Sequence, residues 1–132
     1  MEVLSLEKKS FILGMITAFC ECVAAGCKDL ALSPPLSRED YGMVAEDAKR
    51  LIEKHGLMAY HERNEDLAAE ERFEWIVITR DQDTLAAYTA LRNLGYSPAK
   101  SLKPFEKVLS YQPAKAVKVK YDAYRELFPI GL

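Results

Sequence analysis

The sequence is poor in most of the residues that carry chemistry, with two histidines, one tryptophan, three cysteines and six glycines. The glycines, at 14, 26, 42, 56, 95 and 131, never cluster. The closely spaced glycines that let a backbone cradle phosphate at a strand-to-helix turn are therefore missing. Cys20, Cys22 and Cys27 are odd in number and close together. That excludes the paired disulfide framework of a small secreted domain and points to a reducing, cytoplasmic setting. Charge of one sign is also lacking: a net charge of -2 and a pI near 5.7 give no overall attraction to nucleic acid or anionic membrane.

Nor is there a long uninterrupted apolar run. The stretch from Phe11 to Cys27 contains Glu21 and two glycines, at the short limit of the roughly 17–25 residues a membrane span needs. As a signal peptide it is equally poor, because Glu2 and Glu7 sit in its basic start and Ala24 stands where a lipoprotein site usually has leucine. A buried helix is the expected reading.

Apolar residues make up 49% and charged residues 29% of the 132, the composition of a globular domain with a core. The length suits one domain over residues 1–132, and no linker divides it. Residues 39–83 are strongly acidic and residues 96–132 basic; either the two attract each other, within a monomer or between subunits, or, more simply, they are two solvated surfaces.

Along the chain, Ile12, Ile16, Phe19, Cys20, Val23 and Cys27 recur at helical spacing, while Phe11, Leu13, Met15 and Ala24 widen the stripe. A helix over about residues 5–30 is expected, apolar on most sides, so it must be central or an interface. Ser33-Pro34-Pro35 ends it. Ser37, with Asp40 three residues on, caps a second helix carrying Tyr41, Val44, Ala48, Leu51, Ile52 and His55 on one stripe, stopped by Gly56. The segments Leu57–Arg63 and Phe73–Arg80 read as an antiparallel hairpin joined by the acidic loop 64–72. Asp81 or Asp83 caps a third helix that ends at Gly95. A short helix follows from Ser97-Pro98 or Pro104 to about Tyr111, and a last one from Pro113 to Pro129. The fold class is thus α+β, mostly helical, about five helices with a small hairpin, in the order α-α-β-β-α-α-α.

If the hairpin loop is symmetric, His61 faces Trp75, Ala59 faces Val77 and Leu57 faces Thr79, with Tyr60 opposite Ile76 and Met58 opposite Ile78 on the other side. Both faces are then apolar and need cover, from the chain's own helices or from a second copy.

Motif tests fail one by one. On a helix Cys22 points roughly 160° from Cys20, so the cysteines do not converge on a metal; small buried hydrophobes, or less simply a reactive or intersubunit thiol, explain them. His61-Glu62 opens like a zinc-protease motif, but Glu65 stands where its second histidine belongs. Ile52 and Met58 precede His55 and His61 by three, so di-iron spacing fails too. His55 suits the end of its helix. The junction from Thr79 to Thr84 presents a helix start, but Asp81 and Asp83 would repel phosphate. Tyr111 and Lys115 have the spacing of a reductase pair without a dinucleotide fold around them. In the tail, Lys115, Lys118 and Arg125 share a face, interrupted by Asp122.

What remains is a non-catalytic cytoplasmic interaction or assembly module, self-associating as a dimer through the first helix or the Trp75 face. The alternative is a small-ligand-binding regulatory domain with a pocket of Tyr60, His61, Trp75 and Arg80. Catalysis comes third, with His61 as its candidate. No metal, cofactor, nucleic acid or membrane is expected.

Overall fold

The first helix is where the apolar run dictates. In a computed structural model describing residues 2–63, 73–105 and 115–127, α1 spans Glu2–Ala24. Met15, Ile16, Ala18, Phe19, Cys20, Cys22 and Val23 are all buried, around more than half of the helix's circumference, while Phe11 and Ala24 lie exposed. It stops earlier than the sequence pattern suggests. Gly26 adopts φ 83°, a conformation costly to any side chain. Its N–H bonds to Val23 O and that of Cys27 to Cys22 O, the paired bonds of a Schellman ending. The turn frees Leu30–Leu32 to form a strand, β1, absent from the sequence reading.

The Ser37 cap forms as expected, with Asp40 N–H donating to its Oγ at 3.1 Å, and opens α2 (Arg38–Lys54). Gly56, at φ 76°, ends it the same way. β2 (Met58–Arg63) and β3 (Glu74–Thr79) follow. Asp81 caps α3 (Gln82–Asn93) through Thr84 N–H at 2.8 Å. Ser97 opens the short α4 (Pro98–Leu102), a 3-10 turn covers Lys103–Phe105, and α5 spans Lys115–Leu127. The fold is the expected α+β, mostly helical one. The acidic loop 64–72, the approach to Tyr111 and the Pro113 helix start lie outside the described residues.

The sheet has three antiparallel strands in the order β1-β3-β2, so the expected hairpin gains a partner on one side. Its register also differs by one residue. His61 pairs with Ile76, Tyr60 with Val77 and Ala59 with Ile78, not with Trp75, Ile76 and Val77. Electrostatics gives the reason: the symmetric register would set Glu62 against Glu74, like charges directly opposite. The observed one sets Arg63 against Glu74 and Glu62 against Trp75.

The shift decides what each face carries. Ala31, Ala59, Ile76 and Ile78 pack under α1 and α2 with Val44, Ala48 and Ile52. Leu30, Leu32, Trp75 and Val77 pack under α3 and α4 with Leu85, Tyr88 and Leu102. The sheet lies between two helical layers. α5 covers α1 from outside, its Tyr121 ring 4.8 Å from that of Phe19 and its Arg125 guanidinium 4.7 Å above the same ring. Arg125 also donates to Leu32 O at the outer side of β1.

Candidate functional site

The edge strand β2 is flanked by polar side chains on both faces. On the α2 face, Glu74 is 4% exposed, a burial that costs heavily unless the carboxylate is paired. Arg63 supplies the partner, Nε 3.2 Å from Glu74 Oε1. His61 lies beside them, Nε2 3.7 Å from the same oxygen. That is too long for a hydrogen bond, and Nε2 has no hydrogen-bond partner among the described residues. The imidazole stacks on Tyr41 of α2, ring centroids 4.1 Å apart and 19° from parallel. Burial, and then the negative charge of Glu74, raise the Tyr41 phenol above its ordinary pKa, Arg63 opposing. A cleft of about 330 Å³ opens here, floored by Ala45, Ala59 and Ile76, with Tyr41, Tyr60 and His61 along it and Glu46 and Lys49 at α2.

On the α3 face Glu62 is buried and doubly held. Tyr88 Oη donates to its Oε1 at 3.0 Å and Arg92 Nε at 2.8 Å. Arg92 also donates to Tyr96 O. A second cleft of about 400 Å³ lies between Tyr60, Glu62 and Arg63 of the strand and Thr89, Arg92 and Asn93 of α3, and His61 reaches it as well. Both volumes fall in the usual range for ligand sites, about 300–1,000 Å³.

Of the four residues expected to form a pocket, the structure brings two together. Tyr60, 42% exposed, and His61 line both clefts. Trp75 is 4% exposed in the α3/α4 core, on the opposite face from His61; its Nε1 has no partner among the described residues. Arg80 lies past the end of β3, exposed, with Nη1 3.9 Å from Asp29. The expected grouping followed from the symmetric register, which would have put Trp75 beside His61. Sequence reasoning missed Tyr41, Arg63, Glu74, Glu62 and Arg92. Pairing opposite charges across the hairpin would have found Arg63 and Glu74.

Cys20 and Cys22 are poor nucleophiles. All three are buried, and burial pushes Cys20 up to about 12, Glu21 adding to it. Burial likewise pushes Cys22 up to about 12, with Cys27 beside it as the next cause. The early end of α1 brings Cys27 back to Cys22, against the expectation that Cys27 shares a helix face with Cys20. Among the described residues no three His, Cys, Asp or Glu side chains converge as a metal site, and no helix is long and apolar enough to cross a membrane. His55 Nδ1 is 2.9 Å from Leu51 O at its helix end. In the tail, Lys118 pairs with Asp122 at 2.7 Å and Tyr121 is buried.

Compared with protein-family models, with curated proteins and with solved structures, the chain matches none.

Proposed function

We propose that the protein is a non-catalytic binding domain whose ligand seats along β2, over Tyr60 and His61. One observation carries the reading: these two adjacent residues line clefts on both faces of an edge strand. A catalytic reading has less behind it. Glu74 and Glu62 are each held by an arginine, and Cys20 and Cys22 resist ionisation. Self-association was expected because the first helix and Trp75 need cover. The chain's own helices bury Trp75 and the inner side of α1, but Leu6 and Phe11 stay exposed in its first half, so that part of α1 and the edge strand β2 are both places for a second copy to pair.

The test is titration of the 15N-labelled protein with p-cresol, a ring with a hydrogen-bonding hydroxyl, alongside native mass spectrometry of gently purified protein. Amide shifts centred on Ala59, Tyr60 and His61, lost in His61→Ala, are expected. Shifts centred elsewhere, or none at millimolar probe, overturn the reading.

A further inference from the structure

The hydrogen-bond pattern of the sheet fixes which backbone groups of β2 are spent. Glu74 and Leu36 exchange both of their bonds, at 2.8 and 2.9 Å, and Ser33 N–H donates to Ile76 O at 2.9 Å. Glu74, Ile76 and Ile78 therefore aim their backbone groups toward β1. By the alternation of an antiparallel ladder, Trp75, Val77 and Thr79 aim theirs toward β2. Their partners there are Glu62, Tyr60 and Met58. Ala59, His61 and Arg63 consequently turn N–H and C=O to the outer side, and among the described residues no strand pairs with that side.

We propose that the ligand of this site is an extended polypeptide segment that adds to β2 as a fourth strand, alternating apolar and hydrogen-bond-accepting side chains. This rests on the binding reading above and names its ligand class. An added strand lies about 4.8 Å from β2 and sends successive side chains to opposite faces, and each face has a cleft beside the edge. The α2 cleft, with Ala45, Ala59 and Ile76 and the Tyr41–His61 stack, takes the apolar residues. The α3 cleft is rich in donors: Arg92 has guanidinium N–H groups beyond those spent on Glu62 and Tyr96, with Asn93 and Thr89 beside it. It takes an amide, hydroxyl or carboxylate. A small molecule would fill one cleft only. A second copy would have to bring its own α2 and α3 alongside these helices, whereas a lone segment needs only the width of a strand. Strand addition draws affinity from main-chain bonds and specificity from alternate side chains, which is what the edge and its two clefts supply.

The experiment selects binders from a random dodecapeptide phage library on the full chain, then titrates the best synthetic peptide into 15N-labelled protein. Enrichment of alternating apolar and acceptor residues is expected, with slowed hydrogen exchange at the amides of Ala59, His61 and Arg63. Methylating the peptide's backbone nitrogens on the paired side should weaken binding at least fivefold, with no change to the protein that could unfold it. Ala59→Pro removes one outward N–H but no bond of the β2–β3 ladder, a position where an edge strand accepts proline. It should weaken the peptide. If p-cresol shifts Tyr60 and His61 but no peptide protects those amides, the polypeptide inference falls and the binding reading stands. If neither binds, both fall. Amides already protected in a dimer without peptide would make the occupant a second copy and overturn the inference.

Discussion

Tyr88 supplies a measurement in which most confounding terms cancel. Its hydroxyl donates to buried Glu62 at 3.0 Å, and burial, followed by the charge of Glu62, pushes the phenol well above its ordinary pKa. An unfolded tyrosine ionises near pH 10. Between that value and the raised native one the unfolded chain has released a proton that the folded chain retains. Stability must then fall as pH rises, at about 1.4 kcal/mol per pH unit for one proton. Below pH 9 both states hold the proton and the effect vanishes. Tyr88→Phe removes the ionisation together with the hydrogen bond. At pH 7 the loss should cost about 1–2 kcal/mol, at the low end for a bond to a charged acceptor because Arg92 still holds Glu62. By pH 11 the wild type has lost about 1.4 kcal/mol that the variant keeps, so the two stabilities should nearly meet. Urea unfolding of both proteins at pH 7, 9, 10 and 11, with reductant present, measures the difference; Cys20, Cys22 and the other titrating groups are common to both and drop out. A difference that stays constant from pH 7 to 11 would refute the reasoning, because Tyr88 would then ionise as freely folded as unfolded.

Three further expectations follow from the same contacts. Phe19→Ala should cost about 3–5 kcal/mol in urea unfolding, and because its ring meets Tyr121, Tyr124 and Arg125, hydrogen exchange should quicken first in α5; a loss below about 1 kcal/mol would contradict its burial. Ser37→Ala should lower stability by about 1 kcal/mol through the lost α2 cap, while Ser37→Gly costs only a few tenths, read from thermal midpoints. Cys20 and Cys22, pushed up to about 12 by burial, should react with a disulfide reagent at pH 8 only through opening of the fold, and at once in urea; peptide mapping that finds either labelled rapidly in native protein would sink the burial argument.

What the sequence made legible was what neighbouring residues decide. The Ser37 cap, the Gly56 and Gly95 endings and the buried stripe of α1 each depend on side chains within a turn or two, and all are present, though Phe11 and Ala24, read as widening that stripe, are exposed. β1 was hidden because Leu30-Ala31-Leu32 continues an apolar run that a helix would equally use, and only the left-handed turn at Gly26 ends that helix. The candidate site depended on a non-local quantity, the register across a loop of unknown shape. A shift of one residue carries His61 away from Trp75 and toward Tyr41, Arg63 and Glu74. The hydrophobic pattern could not choose between registers, since β3 is buried along its whole length and either alignment gives β2 an apolar partner. Charge could choose: Glu62 and Glu74 repel when opposite, and each finds its arginine once they are offset. In a hairpin buried on both faces, the few charged residues therefore carry the register information that apolar alternation normally supplies, and here they also shape the two clefts beside the edge.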